Sequence, residues 1–200
     1  MNKLMDQNIV LDKDAHEYSL LSQPDLVFTS VTTFIDQFFK GFDSEKIATN
    51  LVKTNPRYAD RTVESLIAEW AATGEHGTQV HEEIENWIKN GIEPIETKAI
   101  NGKKWLQKYK QKSDINVLSE VIVYSTDLKI AGTMDILALD KTTGRYELID
   151  WKTSKKIKTV SYGYKMGTSR ATVAVMDCNF NHYALQLSLY RYLLENYYDI

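Results

Sequence analysis

Two aspartates and a lysine stand out in the second half of the chain: Asp135 in Gly132-Thr133-Met134-Asp135, and Asp150 with Lys152 in Leu148-Ile149-Asp150-Trp151-Lys152. Aspartate is disfavoured inside strands, yet both lie in stretches rich in Ile and Leu. Side-chain alternation puts 135, 137 and 139 on one face, and Leu148, Asp150 and Lys152 on one face of the next stretch. A turn at Thr142-Thr143-Gly144 makes the two stretches neighbours, so Asp135 approaches the Asp150/Lys152 pair. Two carboxylates and an ammonium at the end of an apolar hairpin are costly unless something neutralises them. A hard divalent cation held by carboxylate oxygens does so. Such a cation activates water and stabilises charge on a phosphate under attack, while Lys152 offers a compact positive charge for the water or a phosphate oxygen. On spacing alone an equally good reading is a turn-capping Asp135 and a surface Asp150–Lys152 ion pair.

The elements that must position these residues follow from the hydrophobic period. Residues 8–28 alternate loosely and predict a short N-terminal hairpin. Thr29 or Ser30 caps a short helix through Phe34, Ile35, Phe38 and Phe39, ended by Gly41; Ser44 caps a second, Glu45 to Lys53, stopped before Pro56. Thr62 starts a longer helical stretch that Gly74 and Gly77 interrupt, and a further helix carries Val80, His81, Ile84 and Ile88 to a stop at Gly91. A basic helix follows between Glu96 and Lys112. The period then shortens: Asn116–Tyr124, Lys129–Asp140 and Arg145–Lys152 predict a three-strand antiparallel meander. Residues 153–180 read as a long polar loop, and His182 to Tyr198 as a closing helix with Tyr183, Leu187, Tyr190 and Leu194 on its buried stripe. The order predicts one domain over residues 1–200, mainly helical to 115, with the sheet and closing helix from 116.

Composition narrows the class. Two hundred residues with 43% apolar content suffice for a core, and no apolar run is long enough for a membrane span. The single cysteine, Cys178, excludes an intramolecular disulfide and a four-cysteine iron–sulfur cluster, and an intracellular, reducing setting is expected. The net charge of −3 does not mark a nucleic-acid binder, but its distribution is uneven. Six lysines and no acid lie between Lys98 and Lys112, and six basic residues and no acid (Lys152, Lys155, Lys156, Lys158, Lys165, Arg170) between 152 and 170. An isolated lysine run is most often a solvated face; the second run begins at the candidate catalytic lysine.

Taken in order, Gly132-Thr133-Met134-Asp135 and Leu148-Ile149-Asp150-Trp151-Lys152-Thr153-Ser154 resemble the core of the PD-(D/E)XK nuclease superfamily, with Met134 where the family has proline. The resemblance is closest to its RecB-like exonuclease branch, which includes the mitochondrial genome maintenance exonuclease and many viral proteins. Ser30-Val31-Thr32-Thr33 is similar to the branch's Ser-Val-Thr segment, Gly77-Thr78-Gln79-Val80-His81 to its Gly-x-x-x-His motif, and Gln186-Leu187-Ser188-Leu189-Tyr190 to its Gln-x-x-x-Tyr motif. These matches cover roughly residues 28–198.

The resemblance implies an α/β fold, a mixed central sheet flanked by helices, with Mg²⁺ or Mn²⁺ bound by Asp135, Asp150, the Trp151 backbone carbonyl and His81. Glu120 falls where many members place an acid near the metal. Gln186 and Tyr190 would place DNA or the catalytic residues. Read by itself, His81 is a core histidine or a ligand, Tyr190 a core tyrosine, Glu120 a ligand or a surface residue, and Ser30 and Thr32 a helix cap or DNA contacts. The run from Lys155 to Arg170 is expected on DNA phosphates, with Tyr162 and Tyr164 stacking on unpaired bases. The expected activity is an exonuclease preferring single-stranded DNA or free ends, in the reducing interior of a bacterial or virus-infected cell. The competing readings are a structure-specific endonuclease on the same fold and a catalytically silent DNA-binding module.

Overall fold

The computed structural model describes residues 3–198 and residue 200. It opens on a hairpin, β1 (Ile9–Asp12) and β2 (Glu17–Leu20), followed by the two-residue strand β3 (Thr29–Ser30) and helices α1 (Val31–Asp36) and α2 (Ser44–Thr54). Two long helices come next, α3 (Val63–Asn90) and α4 (Thr97–Lys110). Strands β4 (Ile115–Ser125), β5 (Ile130–Asp140) and β6 (Arg145–Ile149) form the expected meander, and α5 (Asn179–Tyr197) closes the chain.

Strand β5 is the spine. Antiparallel β4 covers one edge over its whole length. The other edge is shared: β3 pairs in parallel with Ile130 and Ala131, and β6 pairs antiparallel with residues 136–140. Between them the sheet forks, leaving residues 132–135 free of a strand on that side. The sheet is therefore mixed, as expected.

Two apolar layers hold it. Helices α1 and α5 pack on one face around Val31, Ile35, Val121, Val123, Met134, Leu137, Tyr190 and Leu193. Helices α3 and α4 cover Ile136 and Ala138 on the other, through Leu106, Tyr109, Trp87 and Ile88. A third cluster seats the β1–β2 hairpin, with Tyr18 and Leu20 against Phe28, Tyr124 and Ala131. Gly132 permits the tight approach at the fork: a Cβ there would lie 2.7 Å from the Tyr190 ring and 2.8 Å from Val31 Cγ2.

Several boundaries differ from the expectation. Helix α3 runs 28 residues without a break, so Gly74 and Gly77 do not interrupt it. Each glycine costs about 1 kcal/mol of helix propensity. Burial of Leu66, Val80 and Ile84, together with a Thr62/Ser65 capping box, offsets that cost. The stop at Gly91 stands, in the left-handed conformation at φ 70°. Helix α1, capped by Ser30, ends at Asp36, because Phe38 and Phe39 bond back to Ile35 and Asp36 in a tighter turn. Asp43, not Ser44, caps α2 through the Lys46 amide. Strand β6 stops at Ile149, so Asp150 and Lys152 lie just past its end. Helix α5 starts three residues earlier than His182; Tyr190, Leu193 and Leu194 are its buried residues, whereas Tyr183 and Leu187 are half-buried.

Candidate active site at the fork of the sheet

At the fork the strands change faces. In β4, Ile115 and Val117 pack toward α3 and α4, yet Val121 and Val123, of the same parity, pack toward α1 and α5. In β5, Met134 lies in the α1/α5 core and Ile136 in the α3/α4 core. The register is unchanged across the switch, with Ser119 opposite Ile136 and Val121 opposite Met134, so no residue is inserted. The rotation is made at Glu120, whose φ is 52°. That left-handed conformation is uncommon for a residue with a Cβ and costs on the order of 1–2 kcal/mol.

The switch corrects one expectation: Asp135 and Leu137 do not share a face. Leu137 is buried in the α1/α5 core, whereas Asp135 turns to α3, its Oδ1 lying 3.3 Å from His81 Nδ1. Its Oδ2 accepts the Trp151 backbone N–H at 2.6 Å. One ligand atom each from His81, Glu120 and Asp135 lies within 4.8 Å of the others. One nitrogen and two carboxylate oxygens at that spacing fit a divalent cation of the Mg²⁺ or Mn²⁺ kind.

Past β6 the alternation holds. Ile149 and Trp151 face α3 and α4, while Asp150 and Lys152 turn to α5. Lys152 Nζ lies 2.5 Å from Asp150 Oδ2 and 4.5 Å from the centre of the Tyr183 ring. Gln186 spans the pair: its Nε2 donates to Asp150 Oδ1 at 3.4 Å and to the Tyr190 hydroxyl at 3.2 Å, and its Oε1 accepts from Lys152 at 3.4 Å. A glutamine beside a buried stripe needs partners, and these are what it found.

The electrostatics match a cation site. Burial, then the charges of Asp135 and Glu85, push the Glu120 carboxyl up to about 7. Burial and Asp135 raise Asp150 despite the pull of Lys152. At His81 burial acts downward, but the hydrogen bond and charge of Asp135, with Asp150 and Glu120, carry its pKa upward. Crowded carboxylates hold protons more tightly than usual, and a cation would take the place of those protons.

A cavity of about 450 Å³ opens over this cluster. Its lining includes His81, Glu120 and Asp135, together with Gln186, Tyr190, Ser30 and Thr32. Ser30 is also the α1 cap and bonds Thr32 and Thr33, so the cap and cavity-wall readings hold together. Lys155, Lys156, Lys158, Lys165 and Arg170 do not line this cavity; they lie exposed along the loop that follows, as do Tyr162 and Tyr164.

Sequence reasoning missed the cavity's outer wall. The hairpin supplies Lys13, His16 and Tyr18, with the Tyr18 hydroxyl 2.9 Å from Thr133 Oγ1. Lys13 reaches Glu85 on α3 at 3.3 Å. Glu85 was findable as the residue one helical turn after His81. The hairpin had no such signal, since its contact with α3 spans more than seventy residues of chain.

A mixed sheet flanked by helices, forked at a cluster of two carboxylates and a histidine with an Asp–Lys pair just past β6, is the restriction-endonuclease-like arrangement. The family model of the PD-(D/E)XK nuclease superfamily matches residues 33–198, and the chain belongs to that superfamily. No curated protein and no solved structure matches it. Superfamily members are in general nucleases that use divalent metals, so nucleic acid is the substrate class that membership implies. Among the described residues no helix is long and apolar enough to cross a membrane.

Proposed function

We propose that the protein is a Mg²⁺- or Mn²⁺-dependent deoxyribonuclease of the RecB-like kind, acting as an exonuclease on single-stranded DNA or free ends. The observation that carries this reading is the convergence of His81, Glu120 and Asp135 beneath an open cavity, beside a lysine held at 2.5 Å from Asp150. His81, Glu120 and Asp135 would hold the ion, with Asp150 and the Trp151 carbonyl as the further ligands that the resemblance implies. When bound, the ion lowers the pKa of a water and neutralises charge on the phosphate. Asp135 is oriented for this by the Trp151 amide. Lys152, steered by Asp150 and Gln186, donates to the attacking water or to a phosphate oxygen. Ser30 and Thr32 contact the strand from the cavity wall, and the exposed residues from Lys155 to Arg170 contact its phosphates without reading sequence. The preference for single strands and for ends rests on the sequence resemblance to the branch.

The test is a cleavage time course on end-labelled single- and double-stranded oligonucleotides with Mg²⁺, Mn²⁺ or EDTA, beside Asp135→Asn and Lys152→Ala. Metal-dependent loss of label from linear DNA is expected, with a covalently closed single-stranded circle left intact and both variants slowed about 10²-fold or more. Cutting of the circle would instead identify an endonuclease. Binding without cleavage by a folded protein would identify a silent DNA-binding module.

A further inference from the structure

Helix α4 carries five of the six lysines found between Lys98 and Lys112. Lys103 is engaged by Glu93 and lies over the Trp87 ring, and Lys98 donates to the Thr153 carbonyl at 2.6 Å, one residue past Lys152. Lys104, Lys108 and Lys110 have no ion-pair partner among the described residues. Lys104 and Lys108 are one helical turn apart, and Trp105 adjoins them on the outer side.

Trp105 is 45% exposed, although it belongs to an aromatic group that is otherwise mostly buried. Its ring stacks on Tyr109 at 5.1 Å and 8°, and stands at right angles to Trp151 at 5.5 Å. Trp151 is the residue whose amide holds Asp135. The open tryptophan is thus connected to the candidate metal cluster through one residue, Trp151, by its ring on one side and its backbone N–H on the other. A lone exposed aromatic or a lone lysine run would mean little. Here a rigidly backed indole, cations without an ion-pair partner on the same side of one helix, and ring contact with Trp151 coincide.

We propose that α4 is a docking surface for single-stranded nucleic acid. An unpaired base stacks on Trp105, and Lys104 and Lys108 follow the phosphates as the strand runs to or from the fork. The charge pattern selects a polyanion, and the exposed indole selects an unpaired base, because a duplex keeps its base faces stacked internally. The direction of the strand rests on the nuclease reading above; the binding itself requires no cleavage.

The test is fluorescence anisotropy of a labelled oligothymidylate in EDTA, with a duplex of the same length as comparison and polyglutamate as competitor. Trp105→Ala is expected to weaken single-strand binding about tenfold or more, with Trp105→Phe keeping most of the affinity and duplex binding little changed. Lys104→Gln with Lys108→Gln, surface changes that leave the core alone, should weaken binding and flatten the log–log salt slope by about 1.4. Wild-type affinity in all variants overturns the proposal, as does equal loss for duplex and single strand in Trp105→Ala, or displacement by polyglutamate. Cleavage by the wild type in Mn²⁺ is followed in parallel. Binding through α4 without cutting would sink the nuclease reading alone, and cutting with unchanged α4-variant affinities would sink the docking surface alone.

Discussion

Glu120 and Asp135 lie between the Ser119–Ile136 and Val121–Met134 pairs of the β4–β5 ladder, at the level where both strands exchange the faces they bury. The exchange points Asp135 away from the α1/α5 core and toward His81, and it is made by a left-handed glutamate rather than by an inserted residue. Strain of this kind persists where surrounding structure over-determines it, and here two packed layers do so.

That strain is measurable. Glu120→Gly should raise the stability of the metal-free protein by about 1 kcal/mol, since relief of the backbone and of a buried carboxylate outweighs the added freedom of glycine in the unfolded chain. The same variant should lose most of the rise in Tm that Mn²⁺ gives the wild type. Thermal melts with and without Mn²⁺ check both; a Glu120→Gly protein less stable than wild type in EDTA would show that the conformation carries no strain.

Stability of the metal-free protein should depend on pH through the same cluster. Glu120 holds its proton more tightly when folded, to about 7 against an ordinary 4.5, so its contribution is complete below about 4.5 and is lost as pH rises through 7. His81 and Asp150 are shifted upward too, so their contributions likewise fall away as pH rises through their raised values. Urea titrations in EDTA should therefore show a decline across this window, and Glu120→Gln should flatten it. Stabilisation by Mn²⁺ should grow in the same direction, because its ligands must be free of protons.

The two glycines inside α3 should respond oppositely to alanine. A Cβ at Gly74 meets nothing within 4 Å, so Gly74→Ala should stabilise by about 0.5–1 kcal/mol. A Cβ at Gly77 would lie 3.2 Å from Thr153 Oγ1, against the segment that carries Lys152. Gly77→Ala should gain less stability and should lower turnover. Melting curves beside a cleavage assay distinguish the two, and equal effects at both positions would contradict the packing described.

Gln186 bonds both Lys152 and Asp150, and its variants separate a positioning role from a place in the metal shell. Lys152→Ala should cost about 10²-fold or more in turnover by removing a charge next to the reacting phosphate. It should also destabilise by roughly 2–3 kcal/mol, because the buried Asp150 loses its partner. Gln186→Ala should cost about tenfold in turnover and shift the pH profile, with little change in Mn²⁺ affinity. A Gln186→Ala variant with normal turnover and weakened Mn²⁺ binding would place this residue in the metal shell instead.

Much of this was legible in the chain itself, where the signals are local. The caps at Ser30 and Thr62, the stop at Gly91, the antiparallel meander and the face shared by Leu148, Asp150 and Lys152 each depend on residues a few positions apart. Glycine at 74 and 77 misled because propensity is a small term, and burial of Leu66, Val80 and Ile84 outweighed it. Asp135 and Asp150 stood out equally locally, as carboxylates in or just past apolar strands.

Tertiary structure alone decided how those groups meet. Strict alternation would have set Asp135 beside Leu137; the reversal at Glu120 depends on two helical layers pressing opposite faces of one ladder, and no short stretch of sequence encodes it. The seating of Lys13 on Glu85, of Gln186 between Asp150 and Lys152, and of Trp105 against Trp151 joins segments far apart in the chain. Residue types state what chemistry is affordable, but the approach of distant side chains is set by how whole layers pack, and that sum is available only once the chain is folded.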